Sequence, residues 1–229
     1  MNLIVFDIDG TLLRSNEADE SCIRSALHEE FGFTDISTDW GSYRHSTDSG
    51  ILNELFERKR GHEPSVQDIH YFQDRFIDHL DIFYTRRNSK PEFVPGSDEV
   101  VKILNASSDF RVAIATGGWQ RSAQFKLDVA KFPRAGIPAS FADDHFERFK
   151  IIELAQQRAQ LAYQISHFES VCYVGDGRWD FWATQKLGIP FIGVTDTRGE
   201  DYLKSHGVQN LVRDFSRPKD FLERLREWL

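Results

Sequence analysis

Four short apolar runs, Leu3–Phe6, Val112–Ala115, Val171–Val174 and Phe191–Val194, limit the possible folds more than any other feature of this chain. None alternates with polar residues, and Gly, Asp or Pro stands close to their ends. Strands covered on both faces read this way, because neither face has to suit water. The intervals between them carry helical patterns. Ser97–Ala106 follows a Pro-Gly turn and places Val100, Val101, Ile103 and Leu104 at helical spacing. Trp119–Val129, Phe149–Tyr163, Trp179–Leu187 and Asp220–Leu229 complete the series. Strand and helix in alternation, with short connections, predict an α/β fold built on a doubly wound parallel sheet, Rossmann-like in plan.

Residues 14–89 break the alternation. They contain no convincing buried strand, only helical segments near Glu17–Phe31, Asp48–Lys59 and Ser65–Thr85, punctuated by Gly32, Gly41, Gly61 and Pro64. An all-helical subdomain inserted between the first strand and the other α/β units accounts for this. The expected division is therefore 1–13 with 90–229 as the α/β core, and 14–89 as the insertion.

A chain of 229 residues with 40% apolar residues and nineteen Phe can bury its own core without metal or disulfide staples. Its net charge of −8 speaks against nucleic acid or an anionic membrane surface as partner, since both need a basic footprint. An anionic small substrate stays possible, because local cations and amides decide that. Cys22 and Cys172 lie far apart without metal-ligand spacing, so free thiols in a reducing compartment are expected. No apolar run approaches a membrane span, and the first strand begins too early to leave room for a leader. A soluble cytoplasmic protein is the expectation.

Ligands of doubly wound sheets sit at the carboxyl ends of strands, and three such ends carry chemistry here. Asp7 and Asp9 follow the first strand, one residue apart, so that both side chains point the same way from extended backbone. Paired carboxylates repel and need a cation, a shared proton or both. That requirement suits phosphoryl chemistry, with one carboxylate as nucleophile, the other as acid/base and Mg²⁺ to screen them. Thr116-Gly117-Gly118 follows the second run, a hydroxyl with unhindered amides that can approach a phosphate. Gly175-Asp176-Gly177-Arg178-Trp179-Asp180 follows the third, with two acids four apart at a loop-to-helix junction. Each alone is matched by ordinary caps and turns. The three together, in this order, point to one site.

These segments resemble the haloacid dehalogenase superfamily of phosphohydrolases across essentially the whole chain. Phe6-Asp7-Ile8-Asp9-Gly10-Thr11-Leu12 is similar to that family's first motif, Ala115-Thr116-Gly117-Gly118 to its second and Val174–Asp180 to its fourth. The helical insertion stands where phosphoglycolate-phosphatase-like members carry a mobile cap. The resemblance implies a Mg²⁺-dependent phosphatase acting on a small phosphorylated metabolite. Asp7 would attack phosphorus to form an aspartyl-phosphate, and Asp9, with a pKa raised toward neutrality, would serve as acid and then base. Mg²⁺ would be held by the Asp7 side chain, the Asp9 backbone carbonyl and Asp176, with Asp180 in support. Thr116, Gly117 and Gly118 would bind the phosphoryl oxygens. An acid at position 9 favours phosphate esters over halides, whose departure needs no proton.

Two departures from the family pattern stand out. Its third motif is a cation, usually Lys, that bridges nucleophile and phosphate. Here the region reads Asp143-Asp144-His145-Phe146-Glu147-Arg148-Phe149-Lys150, so either Arg148 or Lys150 fills the role, and Arg148 is preferred for its bidentate reach. Arg14 stands where relatives often carry an acid, either to meet an anionic substrate or as a solvated hinge residue. In the insertion, Arg44 and His45 within Trp40–Asp48 are candidates to read the leaving group, against the plainer reading of a helix connection capped by Thr47 or Asp48. A sugar phosphomutase shares the first steps of the reaction, and a catalytically idle binding relative shares the fold. A dinucleotide-binding oxidoreductase is disfavoured, because Asp-Ile-Asp-Gly-Thr replaces the glycine-rich turn that a pyrophosphate needs.

Overall fold

A computed structural model describes residues 1–229 apart from the side chain of Arg198. In chain order the elements are β1 (Asn2–Phe6), β2 (Leu13–Arg14), α1 (Asn16–Phe31), α2 (Asp48–Arg60), α3 (Val66–Arg86), β3 (Glu92–Phe93), α4 (Ser97–Ala106), β4 (Phe110–Ala115), α5 (Gln120–Ala130), β5 (Ala139–Ser140), α6 (Arg148–Tyr163), β6 (Val171–Gly175), α7 (Arg178–Leu187), β7 (Phe191–Val194), α8 (Thr197–Ser205), β8 (Leu211–Val212) and α9 (Pro218–Trp228). Six strands form one parallel sheet in the order β5-β4-β1-β6-β7-β8. The first strand is therefore central, and the chain winds outward from it in both directions. That is the doubly wound α/β fold with an inserted helical subdomain.

The lack of alternation in the strands has a direct cause. Ile4, Phe6, Val112, Ile114, Cys172 and Val174 face one buried layer with residues of α4, α5 and α9. Leu3, Val5, Ala113, Ala115 and Tyr173 face a second, with Ile151, Ile152 and Ala155 of α6. Each central strand is thus apolar on both sides. The helices fall within two residues of their expected ends. Four two-residue strands (β2, β3, β5, β8) and α8 were not legible, since a strand of two residues has no period to detect.

The insertion leaves and rejoins the core through β2 and β3, which pair antiparallel with Arg14 opposite Glu92. Its helices bury a third cluster, built on Leu27, Leu52, Leu55, Phe72, Phe76 and Leu80. Trp119, which precedes α5 in the core, belongs to this cluster, its ring 5.6 Å from Phe72 and 6.4 Å from Phe76. The N-terminus of α2 also docks directly. The Asp48 amide donates to the Gly117 carbonyl at 2.7 Å, and the Trp119 amide donates to Asp48 Oδ2 at 3.0 Å. No helix among the described residues is long and apolar enough to cross a membrane.

Candidate active site

Neighbouring strands β4, β1 and β6 end side by side, and their C-terminal loops form the floor of a cavity of about 590 Å³. Asp7, Asp9, Thr116, Gly117, Gly118, Arg148 and Asp176 all line it. Its roof comes from the insertion, including α1, Trp40 and Ser46–Asp48. The turn that joins the first strand to this roof depends on Gly10. Its φ is +76°, and a Cβ there would overlap the Asp176 carboxylate, so no other residue fits without displacing that acid.

Carboxylate oxygens of Asp7, Asp176 and Asp180 lie within 4.8 Å of one another. Asp7 and Asp180 are almost fully buried. Burial, together with the charges of Asp180 and Asp9, pushes Asp7 up to about 7 despite the opposing charge of Arg148. Burial and the charges of Asp7 and Asp180 push Asp176 well above the usual carboxylate range. Asp180 accepts from the Gly177 amide at 3.1 Å through Oδ2, whereas its Oδ1 makes no hydrogen bond and faces the Arg148 guanidinium at 3.4 Å. An all-oxygen cluster of three acids in mutual repulsion, with a single arginine beside it, fits a hard divalent cation. Asn16 of α1 reaches down to it, donating to Asp176 Oδ2 at 2.9 Å.

The two candidate cations separate clearly. Arg148 is the first residue of α6, and its guanidinium lies 3.3 Å from Asp7, 3.4 Å from Asp180 and 3.4 Å from the Ser46 carbonyl. Lys150, two residues on and so more than half a turn round the helix, pairs instead with Glu153 at 2.7 Å on the surface. Of the pair, only Arg148 reaches the cavity.

Asp9 departs from expectation in its ionisation. Its side chain is not part of the three-acid cluster, and the share in holding a cation expected of it is that of its backbone carbonyl. Its Oδ1 accepts from Ser15 and from Lys126, the latter at 2.5 Å. Burial favours its protonated form, but the Lys126 charge and these hydrogen bonds outweigh it and hold the carboxyl below the usual range. The anticipated upward shift is therefore reversed in this arrangement. Lys126 is 1% exposed and also bonds Asp19 of α1, whose own pKa burial and the charge of Asp9 raise well above normal.

Sequence reasoning missed Lys126, although a signal existed. Ser122, Ala123, Leu127 and Ala130 form the buried face of α5, and Lys126 stands within that stripe. A lysine on the apolar face of a helix must find a counter-charge inside the protein. Asp19, beside the buried Ala18, Cys22 and Ile23 of α1, is the matching case on the other side.

Arg44 and His45 do not line the cavity. Arg44 pairs with Glu57 at 3.1 Å, its amide bound to Glu54, and the His45 ring rests against Phe146 at 4.9 Å. The next residues, Ser46–Asp48, line it instead, because Thr47 caps α2 and turns the chain inward, accepting from the Gly50 amide. Arg14 is exposed on β2 and lies outside the cavity.

The family model for haloacid dehalogenase-like hydrolases matches residues 4–194. The chain belongs to that family. Among solved structures it is similar to a hydrolase from Pseudomonas syringae, with 18% identity, TM-score 0.73 and 99% of each chain covered. A provisionally named beta-phosphoglucomutase from Bacteroides vulgatus matches with 17% identity and TM-score 0.72, covering 100% of this chain and 90% of that one. CbbY from Rhodobacter sphaeroides, solved with phosphate, matches with 16% identity and TM-score 0.67 over 94% of this chain and 95% of its own. No curated protein matches it in sequence. At these identities the structural likeness speaks for the fold alone. The family as a whole uses a divalent metal, and a cluster of three acids that could hold one is present here.

Proposed function

We propose that this hydrolase is a Mg²⁺-dependent phosphatase that splits a small phosphomonoester by way of Asp7. The carrying observation is the convergence of Asp7, Asp176 and Asp180 within 4.8 Å, beside Arg148 and the Thr116–Gly118 turn. Asp7, Asp176 and the Asp9 carbonyl would hold Mg²⁺, with Asp180 beside them, and the bound ion would supply charge neutralisation for phosphate and nucleophile together. Ion binding also favours the ionised form of Asp7, which burial otherwise opposes.

Thr116 and the amides of Gly117 and Gly118 bind the phosphoryl oxygens, and Arg148 adds a fixed positive charge opposite Asp7. Asp7 attacks phosphorus while the ester oxygen leaves. Asp9 and Asp19 contact the same ammonium and have pKa values displaced in opposite directions, Asp9 down and Asp19 up, so this pair is where a proton for the leaving oxygen can be taken up. That proton passes through Asp9 to the leaving oxygen, and Asp9 as carboxylate then activates water against the acyl phosphate. Residues 14–89 act as the cap that excludes bulk water, on a core of 1–13 and 90–229. Two free buried cysteines suit a reducing, cytoplasmic setting.

Turnover of p-nitrophenyl phosphate with Mg²⁺ tests the reading. Asp7→Asn is expected to lower kcat by roughly 10⁴-fold or more, toward the ~10⁶-fold seen when a hydrolase nucleophile is removed. Equal activity in the two proteins would remove the assignment. Measuring inorganic phosphate directly separates hydrolysis from a mutase, which would return the group to sugar.

A further inference from the structure

We infer that Asp48, a residue of the insertion, is a positioning residue that holds the Thr116–Gly118 turn in the shape that binds a phosphoryl group. This rests on the phosphatase reading and adds to its site a residue from the other subdomain. Two glycines in succession give the turn wide backbone freedom, so its partners must set its shape. Each peptide unit is planar, and a bond to its carbonyl therefore also aims its amide.

The unit joining Gly117 to Gly118 has two bonds. The Asp48 amide donates to the Gly117 carbonyl at 2.7 Å, and the Gly118 amide donates to Thr116 Oγ1 at a longer 3.2 Å. A phosphoryl oxygen that takes up the Gly118 amide replaces the second bond, and Asp48 is then what holds the unit. The next unit, Gly118 to Trp119, is held at its carbonyl by the Ala142 amide at 3.0 Å and at its amide by Asp48 Oδ2 at 3.0 Å. Asp48 thus grips the turn at two points, once through its backbone and once through its side chain.

Its neighbours place this grip at the site itself. A Cβ on Gly118 would lie 3.6 Å from Thr116 Oγ1, 3.7 Å from Asp9 Oδ2 and 3.8 Å from Asp48 Oδ2. Thr47 Oγ1 donates to the Phe146 carbonyl at 2.7 Å, and the Ser46 carbonyl accepts from Arg148 at 3.4 Å, so the same short segment also borders the start of α6. Burial pushes the Asp48 carboxyl up to about 7 against the charge of Lys126, and either protonation form can accept from the Trp119 amide.

Calorimetric titration with inorganic phosphate in the presence of Mg²⁺ reads the turn without turnover, and p-nitrophenyl phosphate reads kcat. Asp48→Ala keeps the amide and loses the acceptor, and should weaken phosphate binding and lower kcat by about tenfold each. Asp48→Asn keeps both groups and should recover most of that loss. Asp48→Pro loses both and should show the largest loss. Proline suits the first position of a helix, and Thr47 before it is already extended at φ −139° and ψ 152°, so α2 itself should persist. Ser49→Ala breaks bonds to the Ala142 carbonyl and Trp119 Nε1 but none to the backbone of the turn. It should lower the melting temperature and leave phosphate affinity as it was. Wild-type phosphate affinity in Asp48→Ala and Asp48→Pro would overturn the inference, even if turnover of one ester fell, since Asp48 would then serve the leaving group. An equal loss in Ser49→Ala would also overturn it, by assigning the effect to docking of the insertion in general. If wild type released phosphate from no ester while phosphate binding followed the predicted order, the phosphatase reading would fall and the inference would stand. Absence of both turnover and phosphate binding in the wild type would overturn both.

Discussion

Asp7, Asp176 and Asp180 gather at the ends of β1 and β6 with Arg148 paired to Asp7 and Asp180, whereas Asp9 and Asp19 close over the buried ammonium of Lys126. The two groups share a cavity and the same physical difficulty, since carboxylates removed from water repel and resist ionisation. Their remedies differ. In the first group three acids outnumber one arginine and their pKa values rise, which leaves room for the proposed cation. In the second, the cation is covalently part of the chain. It ties a core acid to a helix of the insertion. Where charge balance is left incomplete the protein keeps a place for a ligand; where it is completed internally it gains a fixed link between two subdomains.

The largest break in this comparison is removal of the built-in cation. Lys126→Met should cost about 3–5 kcal/mol in urea unfolding, because it strands two buried acids without their partner. Adding Asp19→Asn should return part of that loss, since one of the stranded charges is then gone. Additive costs in the double variant would show that Lys126 and Asp19 act independently, and the link between core and insertion would fall.

How far each group could be read from sequence follows from the same contrast. The first group sits on backbone positions that strand ends dictate: an apolar run stops, and Asp7, Thr116 or Asp176 comes next. Local order in the chain is enough. The second needs α1 and α5, about a hundred residues apart, to be laid face to face. Only a lysine inside the apolar stripe of α5 hints at it. The Arg148 and Lys150 alternatives were separated by where α6 begins, which depends on packing rather than composition. Arg44 and His45 were misplaced by one or two residues, because the cap at Thr47 fixes which side chains of that loop turn inward.

A smaller effect separates the groups by titrating the cation instead of deleting it. Mg²⁺ at a hundred times its dissociation constant should stabilise the wild type by about 2.7 kcal/mol, read as a rise in melting temperature. Asp176→Asn should abolish most of that rise. Asp19→Asn should leave it, because Lys126 and not the ion serves that acid. An equal loss in both variants would mean that the five carboxylates form a single site.

The smallest effect concerns an acid whose charge is met chiefly by hydrogen-bond donors. Asp68 at the start of α3 accepts from the Ser65 amide at 2.8 Å and the Ser65 hydroxyl at 2.6 Å, and its own amide donates to Ser65 Oγ at 3.1 Å. This reciprocal cap holds the Asp68 carboxyl below its usual range, the side-chain bond from Ser65 contributing most. A depressed folded value means stability that is present above the unfolded pKa of about 4 and lost as pH falls through the folded one. Ser65→Ala should therefore cost about 1 kcal/mol at neutral pH, the usual worth of such a cap. The gap from wild type should shrink as the pH is lowered below about 4. A gap that stays constant into acid would assign the cap's worth to the Ser65 Oγ and Asp68 amide bond alone. Asp68 would then contribute no charge term, unlike the acids of either buried group.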